Sequence, residues 1–279
     1  MLNGTLQKIK DTGSEDPFNA RLMFEIFSLR DKMVKSDQER LLFDNFYNPI
    51  LETMEETEDA FKNVVNIINN HKAKVENGSI IKFQHDVIEV SESIDKELKK
   101  NFKDFFVKGN RAMDLLVPFF KNYGYSIGFV FKNDKDFLAG ARKFSEKHNE
   151  EKHSNFLKMI EANRKLWLPL FVSQRQEIEH EGTSLPGTKY MKTRPGEVAA
   201  VFPKIDGIEI TELLKGKWWT LFEFVEDCVV ALIDFKLEDP WIIVQIPEGK
   251  RDITMPLKYT TSVKGFAEFL EAERLKKSQ

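Results

Sequence analysis

An arginine and a histidine stand five residues apart in the middle of the chain, in the run Arg175-Gln176-Glu177-Ile178-Glu179-His180-Glu181-Gly182. An arginine guanidinium binds phosphate oxygens in pairs, and a histidine exchanges protons near neutral pH. Attack of an RNA 2′-hydroxyl on the adjacent phosphorus requires both abilities, because the hydroxyl loses a proton while negative charge develops on the phosphorane. Arg175 and His180 are therefore the candidate catalytic pair, and this chemistry needs no cofactor.

The same spacing also has a purely structural interpretation. On a regular helix Arg175 shares a face with Glu179, and Gln176 with His180, whereas Arg175 and His180 point roughly 140° apart. Arg175 would then form a surface ion pair, and His180 would stabilise the end of the helix. The catalytic interpretation requires the helix to end beside the pair, and Gly182 is a typical C-terminal stop.

Amphipathic helices account for most of the chain. Apolar residues recur at the three- and four-residue spacing that buries one face of a helix. We predict helices that begin at Asp16-Pro17, a proline start, and at Ser36-Asp37-Gln38-Glu39, a capping box. Further helices are expected at Val87–Phe119, 135–147, Glu150–Gly182 with a kink at Pro169, 212–237 and 262–276.

Two β-hairpins are expected after Gly182. The turn Asp206-Gly207 separates residues 197–203 from 207–211, and Glu248-Gly249-Lys250 separates residues 241–247 from 251–257. The predicted fold is mainly α, an antiparallel helical bundle with a small antiparallel β element near the C-terminus. We expect one continuous domain, with an N-terminal helix at 1–35, the main bundle at 36–182, and the hairpins and last two helices at 183–279.

The composition limits the classes of function. The 279 residues are 41% hydrophobic and carry a net charge of −3, so they can bury a core but lack the overall basicity of a protein that coats nucleic acid. The longest apolar runs, such as Leu166–Val172, are too short to cross a bilayer. The single cysteine, Cys228, excludes disulfides within the chain. These features predict a cytoplasmic protein that is not bound to a membrane.

The pair at the end of a long bundle helix resembles the R-x4-6-H signature of the HEPN superfamily. On this mapping the family's arginine falls on Arg175 and its histidine on His180. The next residue, usually asparagine or another small polar residue, is Gln176. The resemblance implies a four-helix bundle that forms homodimers and cleaves RNA without a metal. It also allows a catalytically silent relative that binds a protein partner.

A basic and aromatic loop follows the motif and adds candidate RNA-binding residues. Lys189, Lys192 and Arg194 could bind phosphates, and Tyr190 could stack on a base. Gln176, beside the catalytic pair, could also form a hydrogen bond to RNA. The loop could equally be a solvated approach to the first hairpin.

Three alternatives remain open from the residues alone. Arg142 and His148 form a second match to the arginine–histidine spacing, in a polar segment. The pairs Glu150-x-x-His153 and Glu177-x-x-His180 have the spacing of di-iron ligands, but on one helix they would lie roughly 40 Å apart. The amphipathic helices would serve a non-catalytic interaction protein as well as an enzyme.

Overall fold

The computed structural model describes residues 13–84, 87–177, 185–194 and 196–266, except for the side chains of Gln84 and Gln176. These residues are mainly α-helical with short antiparallel strand pairs, which confirms the predicted fold class. The helices are a π-helical segment at Phe18–Glu25, α1 (Ile26–Met33), α2 (Asp37–Glu76), α3 (Asp95–Asn122), α4 (Asp134–Lys147), α5 (Glu151–Leu166), α6 (Leu168–Gln176) and α7 (Ile210–Lys236). The strands are β1 (Ile81–Gln84), β2 (Val87–Val90), β3 (Lys189–Arg194), β4 (Glu197–Val201), β5 (Lys204–Ile205), β6 (Ile208–Glu209), β7 (Trp241–Gln245) and β8 (Tyr259–Val263).

Local signals set the starts of the first helices. The Asp16 side chain accepts a hydrogen bond from the Phe18 N–H at 2.9 Å, and the π-helical segment follows directly. Ser36 accepts one from the Glu39 N–H at 3.2 Å, while the Glu39 carboxylate reaches back to the Lys35 N–H at 2.6 Å. The capping box is therefore confirmed, with Lys35 as its returning donor. Helix α2 continues through Pro49 without a break.

The predicted helix at Val87–Phe119 begins later than expected. Residues 81–84 and 87–90 form an antiparallel hairpin, and α3 starts at Asp95. Apolar residues at positions 87, 90, 94 and 98 fit helical spacing, but Ile88 and Val90 pack instead against a cluster of Val75, Ile80 and Val198. Contacts with α2 and β4 therefore decide between helix and strand here.

The long helix predicted from Glu150 is divided into two. Helix α5 ends at Leu166, Trp167 forms a turn, and α6 begins with Pro169 in its first turn. Proline removes a backbone donor and clashes with the preceding turn, so a break at this position agrees with the predicted kink. The expected stop at Gly182 lies outside the described residues.

The hairpins near the C-terminus differ from the prediction in their partners. Strand β4 pairs with β3, and the turn Asp206-Gly207, in which both residues have positive φ, joins only the two-residue strands β5 and β6. Strand β7 pairs with β8, so residues 246–258 form the connection and the segment expected to pair at 251–257 does not. Tyr259–Val263 is a strand where the start of a terminal helix was expected, and residues 267–279 lie outside the described part.

Contacts divide the chain into two compact units. The first contains the described residues of Met1–Tyr47, Ser145–Leu157 and Glu226–Gln279, and the second those of Asn48–Phe144 and Lys158–Val225. Fully buried side chains of the first unit include Phe18, Ile26, Phe43, Val229 and Leu232. Those of the second include Phe105, Phe106, Phe119, Phe171 and Leu221. No helix within the described ranges combines the length and apolar character needed to cross a membrane.

Candidate functional site

Arg175 lies in the last turn of α6, and α6 is held against α3 by aromatic packing. The ring of Phe171 lies 5.1 Å from that of Phe106 and 6.1 Å from that of Phe105, measured between centroids. Gly109 of α3 allows this close approach, because a Cβ at that position would lie 2.9 Å from Phe171 Cζ. Arg175 follows Phe171 by one helical turn, so this packing fixes the base of its side chain.

Asp114 of α3 is the acidic group on which Arg175 acts electrostatically. Loss of hydration by burial raises the pKa of the Asp114 carboxyl, while the positive charges of Arg175 and Lys132 lower it. Asp114 is nevertheless exposed to solvent, and Arg175 is partly exposed. Although the Nε atom of Arg175 is buried, its positive charge acts on the Asp114 carboxyl group.

The remaining motif residues are described only in part. His180 lies outside the described residues, as does the side chain of Gln176. The backbone of Gln176 forms the last residue of α6, and Glu177 after it is exposed. Arg175 thus lies in the last turn of α6; Glu177 keeps helical backbone angles, and the predicted end of the helix lies outside the described residues.

The basic and aromatic loop of the sequence is strand β3. Lys189, Lys192 and Arg194 are exposed on it. Tyr190 is partly buried, and its hydroxyl lies 2.7 Å from Nε2 of His71 on α2. Tyr190 therefore attaches β3 to the end of α2, while the three basic side chains remain available to solvent.

His71 belongs to a polar cluster that sequence reasoning missed. His71 is buried, and its Nδ1 lies 4.0 Å from a carboxylate oxygen of Glu92. The Glu92 carboxylate also binds the ammonium group of Lys74, at 2.6 Å. Burial lowers the pKa of His71, and the nearby Glu92 charge opposes this effect. The available signal was its position: residue 71 continues the apolar spacing of Val64, Ile68 and Val75, which predicts a buried histidine.

Arg175 and the segment before β3 interact with residues that lie far apart along α3. Asp95, the first residue of α3, accepts hydrogen bonds from the Thr188 N–H at 2.9 Å and the Thr188 hydroxyl at 2.8 Å. Asp114 lies nineteen residues later, about 28 Å along a regular helix axis. The structure therefore joins the approach to β3 to one end of α3 and Arg175 to a carboxyl group far along it.

The second arginine–histidine match has a different setting. Arg142 lies in α4, whereas His148 follows the end of that helix and stacks on His153, with ring centroids 5.2 Å apart. His153 in turn lies against the ring of Phe235 at 4.4 Å. Burial lowers the pKa of both histidines. His148 is thus part of an aromatic stack within the first unit.

Metal binding is the other chemistry that the histidines and carboxylates of the chain could support. Within the described ranges, no group of three or more His, Cys, Asp or Glu side chains is arranged to hold a metal ion. Glu92, which lies near His71, binds Lys74 through both of its carboxylate oxygens. Comparisons with protein-family models, curated proteins and solved structures found no match to this chain. The HEPN resemblance therefore rests on the sequence motif alone.

Proposed function

We propose that the protein is a metal-independent endoribonuclease of the HEPN type. In this proposal the guanidinium of Arg175 binds the scissile phosphate and stabilises the phosphorane as charge develops on it. His180 takes the proton from the attacking 2′-hydroxyl. The P–O bond to the 5′-oxygen of the next nucleotide then breaks, which leaves a 2′,3′-cyclic phosphate and a 5′-hydroxyl after that oxygen gains a proton.

The position of Arg175 is the observation that carries the proposal. Its helix is packed on α3 through Phe171, yet the residue is partly exposed, and its charge lowers the pKa of Asp114. A carboxyl group beside an arginine orients the planar guanidinium, and an oriented guanidinium presents its remaining donors to a phosphate. A solvent-exposed arginine with no functional role would require neither a tightly packed helix nor an acidic neighbour.

The order of the helices in the second unit also supports the proposal. If the shorter helix α4 is left out, the helical segments of this unit are parts of α2, α3, α5–α6 and α7, and Arg175 lies in the last turn of the third. HEPN proteins carry their motif toward the end of the third core helix. The resemblance that the motif suggests therefore agrees with the position of Arg175 along the chain.

Strand β3 provides a second contact region for RNA. Lys189, Lys192 and Arg194 are exposed on β3, and exposed cations bind backbone phosphates without reading the base sequence. We propose that they hold the RNA while Arg175 and Gln176 contact the phosphate to be cleaved. The partner is thus single-stranded RNA, and binding should weaken as salt concentration rises.

A homodimer is part of the proposal. Leu170 and Leu166 precede Arg175 by five and nine residues and are 60% and 76% exposed. Large exposed apolar side chains are typical of contact surfaces between proteins. A two-fold contact through them would bring two copies of Arg175 to one side of the dimer. Sedimentation of the protein and of a Leu170→Glu variant tests this part, because the variant should be monomeric.

The test of the activity is incubation of the purified protein with a mixed-sequence RNA in the presence and absence of excess chelator. Cleavage that persists in chelator and leaves 2′,3′-cyclic phosphate ends is the expected result, with no cleavage of the matching DNA. Cleavage lost in chelator would instead favour metal-dependent hydrolysis. No cleavage of any RNA would favour a non-catalytic interaction protein, for which the exposed Phe83, Val87 and Met191 on the hairpins would be contact residues.

A further inference from the structure

A cluster of charged side chains is buried in the first unit, away from the proposed nuclease residues in sequence. Arg21 and Glu25 come from the π-helical segment, Glu226 from α7, and Lys258 from the residue before β8. Their exposed fractions are 4%, 1%, 0% and 6%. Buried charges are costly unless they are paired, so the pairing within this cluster determines its stability.

The cations of the cluster are bound to two neighbouring acidic residues of α7. Arg21 forms a two-pronged contact with Glu226, in which Nε lies 2.6 Å from Oε1 and the second guanidinium nitrogen binds Oε2. The Lys258 ammonium lies 2.6 Å from Oδ1 of Asp227 and 3.5 Å from Glu226 Oε2. The Tyr259 hydroxyl donates to Asp227 at 2.9 Å. Every cation of the cluster is therefore already paired.

Glu25 is the group that this pairing leaves incomplete. Its Oε2 accepts the backbone N–H groups of Lys258 at 2.5 Å and Tyr259 at 2.7 Å. Its Oε1 is buried and accepts no hydrogen bond from any donor that the structure describes. The charge of Glu226, and hydrogen bonding between the two carboxyl groups, both raise the pKa of Glu25. Two ionised carboxylates cannot form that bond, but a carboxylic acid and a carboxylate can.

The charge count leads to the same conclusion. Among the residues that the structure describes, three carboxyl groups of the cluster, on Glu25, Glu226 and Asp227, face two cations, on Arg21 and Lys258. Full ionisation would leave one negative charge uncompensated in a buried site, at a large desolvation cost. One added proton balances the cluster and supplies the missing hydrogen bond.

We propose that Glu25 and Glu226 share one proton at neutral pH, and that loss of this proton loosens the attachment of β8 to the π-helical segment. Burial, followed by the charge of Glu226, raises the pKa of Glu25 to about 8. The other hydroxyls that face the cluster stay neutral in this range, because burial raises the pKa of Tyr259 and of Tyr47 above the ordinary tyrosine value. Proton loss then leaves two negatively charged carboxylates close together, and they repel each other beside the first residues of β8.

The direction of the pH effect follows from the two pKa values of Glu25. Its carboxyl binds a proton in the folded state up to about pH 8, and in the unfolded state only up to about 4.5. The proton therefore contributes stability that is fully present below pH 4.5 and lost as the pH rises toward 8. Between these values the unfolding equilibrium constant should rise by up to about tenfold per pH unit, and the rise should stop above about pH 9.

The Glu25→Gln variant tests the proposal, because a glutamine amide keeps the acceptor for both N–H groups and donates permanently to Glu226. Chemical denaturation from pH 5.5 to 9 gives the unfolding equilibrium constants of the wild type and of the variant. The wild-type constant divided by the variant constant should rise with pH and then level off. Glu58→Gln is the matched control, since Glu58 is a buried carboxylate paired with Lys62 at 2.9 Å within α2. Its ratio to the wild type should stay constant over the same range.

Two measurements on the wild-type protein keep the test decisive if the variant does not fold. Carbon NMR of labelled glutamate should show one carboxyl resonance that titrates near pH 8. Amide exchange at Lys258 and Tyr259, corrected for its intrinsic pH dependence, should accelerate above that pH, while exchange in the β1–β2 hairpin should not. A ratio independent of pH, or glutamate resonances that all titrate below pH 6, would overturn the proposal.

Discussion

The charge of Arg175, in the last turn of α6, opposes the rise in the pKa of Asp114 that burial causes on α3. This relationship joins two helices through one basic and one acidic group, next to the tight contact of Phe171 with Gly109. In the proposed nuclease, Asp114 is therefore a positioning residue that acts through Arg175.

Replacement of the motif residues should remove RNA cleavage and leave the fold intact. Arg175→Ala takes away the phosphate contact and His180→Ala the proton acceptor, so each should lower the cleavage rate by on the order of a hundredfold or more. Circular dichroism and thermal unfolding check the fold, and product analysis on a gel measures the rate. Arg142→Ala is the matched control and should retain full activity; if it is the inactive variant, the wrong arginine–histidine pair has been chosen.

Replacement of Asp114 should weaken cleavage through the orientation of Arg175. Asp114→Asn keeps the size of the side chain but removes its charge, so the guanidinium is held less firmly and the rate should fall by on the order of tenfold to a hundredfold. Binding of RNA, measured by fluorescence anisotropy, should change little or become tighter, because a negative charge is lost. Asp104→Asn, ten residues earlier on the same helix, is the control. Equal rates for the two variants would remove Asp114 from the site.

A methyl group at Gly109 should separate α6 from α3. A Cβ at that position would lie 2.9 Å from Leu221 Cδ2 and 2.9 Å from Phe171 Cζ, and both of these side chains are fully buried. Gly109→Ala should therefore lower the free energy of unfolding by about 1–3 kcal/mol despite its better helix propensity. Gly216→Ala in α7 meets no atom within 4 Å and should instead gain about 0.5–1 kcal/mol. Urea denaturation compares the two, and a gain at both positions would contradict this packing.

His71 should stay neutral as the pH falls below the ordinary histidine range. Burial lowers its pKa below 6.5, so the folded protein binds the proton less readily than the unfolded chain. The stability that neutral His71 contributes is present above pH 6.5 and is lost as the pH falls through and below that value. Proton NMR of the imidazole ring should show its midpoint below 6.5. A midpoint above 6.5 would mean that Glu92 outweighs burial.

The sequence by itself determined several of the helices and some of their ends. Segments predicted at 135–147 and 212–237 appear at Asp134–Lys147 and Ile210–Lys236, because amphipathic spacing and local hydrogen bonds act within a few residues. The capping box and the Asp206-Gly207 turn are equally local. The break before α6 follows from the same kind of signal, since Pro169 acts on the turn that precedes it.

Tertiary structure decided which residues meet. Glu226 binds Arg21 across 205 positions, and Tyr190 contacts His71 across 119, so no local pattern could indicate either pair. The same holds for β8, whose first N–H groups are held by the Glu25 carboxylate. The physical reason is that spacing tells which face of an element is apolar, whereas the partner of a polar group depends on which other element is packed beside it. Arg175 could therefore be found in the sequence, but its acidic neighbour Asp114 could be found only in the folded chain.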